Sequence, residues 1–349
     1  MKMKLANFLA VSIPALGALG SPLVASNDEG ATGSSVISGT STIENSGAAI
    51  REVNAASAAI TDAASVGYAT LNGGTKGGAG GTTTTVSTYA QFTAAVADDV
   101  ARVVVIAGTI SQAAQVRVGS NKSIVGKNSS AKLVGAGLYI KSKKNVIVRN
   151  LTIQKVLAEN GDAIGIQASS NVWVDHCDVS SDRDHDKDYY DGLIDVTHAS
   201  DYVTISNTFL HDHWKASLVG HSDSNGAEDT GHLTVTYANN YWYNINSRGP
   251  SYRFGTGHVF NSYFDTVSDG INTRDGAQLL VESNAFVNSK KPLYSTDDGY
   301  AVSRDNNFGG EADEAEQGSL TSVPYSYKTL GSTNVKAAVV GTAGATLTF

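Results

Sequence analysis

One residue type returning at one offset constrains this chain more than any other feature. Six segments share a form: a β-rich run, a polar residue (mostly Asn), two further residues, then an apolar one. They are Asn145–Ile153 around Asn150, Asn171–Val179 around His176, Tyr202–Leu210 around Asn207, Leu233–Tyr243 around Asn240, His258–Phe264 around Asn261 and Leu279–Val287 around Asn284. The key positions lie 26, 31, 33, 21 and 23 residues apart. A period of that size with strands in every unit predicts a parallel β-solenoid, in which each coil cannot bury its apolar side alone and stacks on its neighbours. Asn at a repeated bend fits a ladder of side-chain amides that satisfy backbone groups and one another. An antiparallel sandwich would account for regular strands but not for Asn at a fixed offset. The longer spacings in the middle place inserted loops on coils two to four, where function concentrates on a rigid scaffold.

The rest of the chain narrows the setting. At 349 residues it can bury a large core. With 25 Lys+Arg against 33 Asp+Glu its net charge is −8, which gives no electrostatic footprint for nucleic acid. The single cysteine, Cys177, excludes a disulfide framework and reads as a buried thiol. Lys2 and Lys4 precede an apolar run, Leu5 to Leu19, followed by Gly20, Ser21 and Ala25. That is the pattern of a secretory signal peptide over residues 1–25. Asn7, Ser12 and Pro14 interrupt the run, which falls short of the roughly 20 apolar residues of a membrane span. The expected product is secreted and extracellular, without a membrane partner, and acts as a monomer. Removing Lys2 and Lys4 with no acidic residue takes −8 to −10. Residues 26–65, rich in Ser, Ala, Gly and Thr, read as a linker or propeptide-like segment with some helix between Ile50 and Ala64. Residues 66–349 form the solenoid body, entered through the Gly73–Gly81 stretch. A helix is expected over Gln91–Val100, before a strand at Val103–Ile106. Beyond Gly309 an acidic Glu311–Glu316 patch and the tail read as a cap.

Three segments concentrate the reactive side chains: Glu159-Asn160-Gly161-Asp162, the run Asp182 to Asp195, and Asn246 to Arg253, with His211-Asp212-His213-Trp214-Lys215 between the last two. In a strand, residues two or four apart share a face. Asp191 and Asp195 therefore project together, while Gly192, Ile194 and Val196 turn inward. Asn160 and Asp162 share parity on the preceding coil. Coils stack about 4.8 Å apart, so such carboxylates can converge on one hard cation, and an all-oxygen set suits Ca²⁺. Asp182–Asp188 reads instead as a solvated loop. Arg248 and Arg253 differ in parity, and Gly249-Pro250 supplies a bend that lets both reach one ligand. With Lys215 they gather three cations in an acidic chain, where a forked guanidinium suits carboxylates. Surface ion pairing accounts for any one of these cations more easily than for the cluster.

Four segments, Trp173-Val174-Asp175-His176, Asp191-Gly192-Leu193-Ile194-Asp195, His213-Trp214-Lys215-Ala216-Ser217-Leu218 and Arg248-Gly249-Pro250-Ser251-Tyr252-Arg253, resemble the signature segments of polysaccharide lyase family 1, closest to fungal-type secreted pectate lyases. The resemblance covers about residues 66 to 325, with the motifs in the family's order. It implies an all-β, single-stranded right-handed parallel β-helix whose loops form a substrate groove. It further implies a Ca²⁺ site at Asp162, Asp191 and Asp195, a catalytic arginine at Arg248, and substrate-carboxylate ligands at Lys215 and Arg253. A further family aspartate falls here on Asn160, which keeps a carbonyl oxygen but loses a formal charge. Trp173 to His176 matches the family's structural body, so Asp175 and His176 are not catalytic candidates.

The implied activity is calcium-dependent eliminative cleavage of α-1,4-linked polygalacturonate, the plant cell-wall polymer left when pectin loses its esters, giving 4,5-unsaturated oligogalacturonates. The base removes the proton on C5, beside the carboxylate. Arginine is unusual in that role because its reference pKa is about 12.5–13.8, although a nearby dication and two further cations disfavour its charged form. A pectin lyase would share the fold but lack the acidic cluster and Lys215. A β-helical polygalacturonase would hydrolyse with two carboxylates. A non-catalytic pectin-binding solenoid has no need of Lys215, Arg248 and Arg253.

Overall fold

The computed structural model describes residues 58–349; the signal-peptide segment 1–25, and the low-complexity stretch as far as residue 57, lie outside the described residues. Strands rich in Val, Ile and Thr, which suit a pleated half-buried surface, pair in parallel throughout their ladders. The first sheet has ten: Thr82–Val86, Arg102–Ile106, Lys122–Gly126, Lys144–Arg149, Ser170–Asp175, Asp201–Ser206, Thr234–Ala238, Thr256–Phe260, Gln278–Glu282 and Tyr300–Arg304. A second, 15-stranded sheet folds on itself through the long strand Lys132–Lys141, which pairs with Thr152–Gln154 at its start and with Ile164–Gln167 at its end. One wing, here the side wing, continues through Asp178–Ser180, Phe209–Lys215, Tyr241–Ser247, Tyr263–Val267 and Ala285–Val287. The other, the groove wing, continues through Ile194–Thr197, Leu218–Val219, Ser251–Arg253, Asp269–Arg274 and Lys291–Ser295. Each coil visits the first sheet, a bend, the side wing, a loop and the groove wing. The architecture is the expected parallel β-solenoid.

Alternation along each strand sends every second side chain inward, and parallel register stacks like on like. In the first sheet Val104, Ile124, Val148, Val174, Ile205, Tyr237, Val259 and Val281 form one fully buried ladder. In the side wing Leu133, Ile153, Val179, Leu210, Trp242, Phe264 and Phe286 form another. Its aromatic end is stacked, with Phe264 5.5 Å from Trp242 and 4.2 Å from Phe286, nearly parallel to both. Phe264→Ala removes a ring with partners on both faces. It is expected to cost about 3–5 kcal/mol, read as a lowered midpoint in urea unfolding; a shift under 1 kcal/mol would contradict this packing account.

The bend after the first sheet explains the recurring Asn and corrects its register. Asn150, His176, Asn207, Asn239, Asn261, Ser283 and Asp305 occupy equivalent positions, all left-handed with φ between 46° and 56°, where Asn and Asp are tolerated better than most residues. Asn240 and Asn284 belong one position later, to a second ladder. Asn240 Oδ1 accepts from the Thr208 N–H (2.9 Å), and Asn284 Oδ1 from that of Ser262 (2.9 Å). Their Nδ2 groups donate to the Ile205 and Val259 carbonyls, as Asn306 does to Val281, each at 2.9 Å. Asn thus serves two adjacent bend positions for different reasons, and with the register restored the last coils repeat at 22 residues.

The ends are closed differently. Helix α1, Tyr89–Val96, is capped by Thr88 and lays Phe92, Ala95 and Val96 over the N-terminal end of the core. It stops four residues short of Val100 because the next carbonyls are needed elsewhere: the fully buried Lys122 donates its ammonium to Asp98 O and Val100 O, both at 2.6 Å. Residues 58–64 are turn and irregular backbone rather than helix. They begin a strap down the outside of the first sheet, where Tyr68, Ala69 and Gly78 N–H groups donate to the outward hydroxyls of Thr236, Thr204 and Ser123. The tail is not an end cap but a second strap. It returns along the Asn bend, where Leu330 and Leu347 N–H groups donate to Asn261 and Asn150 Oδ1, both at 2.9 Å. Between them helix α2, Ser332–Val339, seats Val335 and Val339 on Tyr263 and Ala285. The tail thus supplies partners to the outward amides of Asn150 and Asn261, while Asn207 Nδ2 donates to Asp175 Oδ1 on the neighbouring coil.

Candidate active site

The inserted loops meet at the start of the groove wing. The loop before Ile164 carries Asp162. The loop before Ile194 carries Asp191, and Asp195 follows on the strand itself, whose register sets it beside Gly165. The two loops are pinned together, with Ala158 N–H donating to Tyr189 O (3.0 Å) and Leu157 bridging Tyr190. Asp182 is not merely solvated: it accepts from Tyr190 Oη (2.8 Å) and lies 2.7 Å from His185 Nδ1, bracing the loop from within. His213, buried, holds Asp191 by its backbone, Nε2 to Asp191 O at 2.5 Å, while its Nδ1 has no hydrogen-bond partner among the described residues. Burial holds the His213 pKa down at about 4, so the ring is neutral and donates from Nε2.

Gly192 is the hinge of the acidic group. A Cβ there would fall 2.5 Å from Asp195 Oδ1 and 2.9 Å from Asp162 Oδ1, so these two carboxylates approach across the space a side chain would take. Each has one backbone donor: Gly192 N–H to Asp162 Oδ1 (3.0 Å) and Leu218 N–H to Asp195 Oδ1 (2.9 Å). Burial first, then the Asp191 charge, pushes Asp162 up to about 6. Burial and the Asp162 charge push Asp195 well above the ordinary carboxylate range. Two carboxylates raised by burial and by neighbouring carboxylate charge lack positive charge.

Part of that charge comes from the next coils. Lys215 Nζ lies 3.2 Å from Asp188 Oδ1 and 3.5 Å from Asp191 Oδ1. Arg248 Nη1 lies 3.9 Å from Asp195 Oδ2, with the side chain 30% exposed. Arg248 is itself left-handed, φ 62°, ahead of a cis Gly249–Pro250 bond, and its carbonyl accepts from Ser217 N–H at 2.9 Å. The structure thus gathers Asp162, Asp191, Asp195, Lys215 and Arg248. Arg253 stands apart, at the far end of the strand that follows Arg248, with Nε 2.6 Å from Asp223 and 3.2 Å from Asp275 and Nη1 donating to Gly220 O. Asp223 and Asp275 were not legible as site residues, since they come from bends whose spacing carries no motif.

The donor set fits a hard divalent cation: oxygens only, with Asp162 and Asp195 desolvated and mutually repelling. The carboxylates do not already close on one point, since no group of three or more His, Cys, Asp or Glu among the described residues has metal-ligand spacing. An open depression of about 420 Å³, lined by Lys143, Lys144, Asp201, Tyr202 and His232 among others, lies at a different bend and contains none of these residues.

Comparison with known proteins agrees with this fold. The profile of the pectate lyase family matches residues 40–347. The chain is 74% identical over 293 residues to a probable pectate lyase A of Aspergillus niger, covering 84% of this chain and 90% of that one. It is 72% identical over 298 residues to a probable pectate lyase A of Aspergillus fumigatus, covering 85% and 93%. Among solved structures, a pectate lyase from a Bacillus species in complex with trigalacturonate superimposes with a TM-score of 0.74 at 32% identity, over 80% of this chain and 98% of that one. With the matching profile, the fungal relatives and the solenoid in agreement, the chain belongs to the pectate lyases of polysaccharide lyase family 1.

Proposed function

We propose that this pectate lyase cleaves de-esterified polygalacturonate by calcium-dependent β-elimination, with Arg248 as base. The observation that carries the reading is the interleaving of Asp162, Asp191 and Asp195 with Lys215 and Arg248, each cation already within 4 Å of one of these carboxylates. Asp162, Asp191 and Asp195 would hold Ca²⁺. When bound, the ion supplies Lewis acidity to a substrate carboxylate, easing removal of the neighbouring proton. Arg248, partly exposed on a backbone fixed by Ser217, reaches over Asp195 and takes the C5 proton. The electron pair left on C5 forms the C4–C5 double bond as the bond from C4 to the glycosidic oxygen breaks. The product carries a 4,5-unsaturated unit. Lys215 pairs with the developing carboxylate charge. Arg253 orients a neighbouring unit through Nη2, which makes no hydrogen bond among the described residues. The apolar run over residues 5–19 supports secretion as the route to this substrate, and among the described residues no helix is long and apolar enough to cross a membrane.

The deciding experiment compares ultraviolet absorbance of the unsaturated product on polygalacturonate and on highly methyl-esterified pectin, with and without calcium. Absorbance on polygalacturonate with calcium alone is expected. Equal rates on esterified pectin without calcium would favour the pectin lyase reading, and reducing ends without absorbance would favour hydrolysis.

A further inference from the structure

We infer that Arg117, Tyr139 and Lys141 form a distal subsite on the groove wing that grips units of the polygalacturonate chain beyond those at the catalytic carboxylates. The inference rests on the substrate named above and extends the site to residues the motifs do not include. Register places them on one outer surface: Arg117 beside Tyr139, Tyr139 beside Gly165 and Gly165 beside Asp195, with Lys141 beside Gln167 and Thr197 in the neighbouring row. At about 4.8 Å per strand, Tyr139 stands about 10 Å and Arg117 about 14 Å from Asp195 along this face. The surface between them is open because Gly165 has no side chain. A Cβ there would sit 3.1 Å from Asp162 Oδ2 and 3.5 Å from Tyr139 Cδ2, filling the step that joins the carboxylates to the ring.

The chemistry suits an acidic sugar chain. Arg117 Cζ and Lys141 Nζ each lie 5.9 Å from the centre of the Tyr139 ring. Both cations are exposed, and neither forms an ion pair among the described residues, in contrast to Arg253 and Arg274, which share Asp223. The Tyr139 hydroxyl is tied to Gln167 Oε1, which fixes the ring. A half-buried ring between two unpaired cations offers an apolar face to a pyranose and charge to its carboxylates. Continuity with the carboxylate cluster and charge complementarity both select a polyuronate as the occupant.

The test compares kcat/KM on polygalacturonate with kcat/KM on trigalacturonate in saturating calcium, for the parent and for R117A/K141A and Tyr139→Ala. Loss of two partly solvated cation–carboxylate contacts is expected to lower the polymer-to-trimer ratio about three- to tenfold, with a flatter salt dependence of KM on the polymer. An unchanged ratio, or equal loss on both substrates with a lowered Tm, overturns the subsite. If the parent cleaves neither substrate, the proposed reaction fails on its own. The subsite is then read by retardation in gels containing polygalacturonate: weaker retardation of R117A/K141A supports it and equal retardation overturns it.

Discussion

Arg248→Ala is expected to lose about 10²- to 10⁴-fold in kcat on polygalacturonate, the range carried by a positioned general base, with Tm and polymer binding close to the parent's. The structure gives the reason for that separation. The Arg248 side chain touches the body through one long contact to Asp195, whereas its backbone is fixed by Ser217 and by the Gly249 N–H bond to Gly270 O, neither of which needs the guanidinium. Near-parent turnover in a folded, polymer-binding Arg248→Ala protein would remove arginine from the base role. Lys215→Ala provides the contrast. It strips a cation from both Asp188 and Asp191, so it should disturb the acidic cluster as well as the chemistry.

Excess EGTA should abolish activity, and Asp195→Asn should do the same without chelator. The sharper expectation concerns stability and pH. Asp162 and Asp195 have native pKa values raised above the unfolded value near 4, Asp162 to about 6. A carboxyl raised on folding favours the native state below its unfolded pKa and loses that contribution as pH rises through the native one. In chelator, therefore, these two groups should lower stability as pH rises from about 4 to 6 and beyond, and Asp195→Asn should raise Tm at pH 8 relative to the parent. With Ca²⁺ held as proposed by these carboxylates, the order should reverse in calcium, because only the parent would gain binding free energy, and calcium affinity should rise with pH across 6 as Asp162 loses its proton. Parallel Tm curves for parent and variant, with and without calcium, would remove the carboxylates from the metal site.

What could be read from the residues, and what could not, follows one physical line. Stacking in a solenoid repeats local choices, so alternation, the Asn bend and the order of the motifs were all visible in one dimension. Asn239 and Ser283 were misread as neighbours of the key positions because Asn satisfies two adjacent backbone sites for different reasons, one by tolerating positive φ and one by accepting from the coil above. The acidic group was legible as the Asp191–Asp195 motif, although strand parity was not its cause: Asp191 sits in the loop ahead of Ile194, and the space Gly192 leaves is shared by Asp195 and Asp162. The tether of Arg253 to Asp223 and Asp275 was not, since it joins bends of successive coils that no spacing rule connects. Likewise the buried His213 that aligns Asp191 looks, in sequence, like any His beside a Trp. The tail was taken for a cap because nothing local distinguishes a segment that covers an end from one that runs back along a side.

That return path has a consequence for how the molecule comes apart. A bare stack of coils holds each unit only through its neighbours and can fray from either end. Here the Asn150–Leu347 bonds join positions 197 residues apart, and the strap also engages Asn207, Asn261 and Asp305 on intervening coils. Closing a loop of that length is slow in entropic terms, and since the strap follows the coils in the chain, it clasps a stack already built. The clasp then works as a latch against unzipping: an inner coil cannot peel away until the strap lifts from several coils at once. Resistance to proteases should depend on the last thirty residues more than their small share of the core would imply.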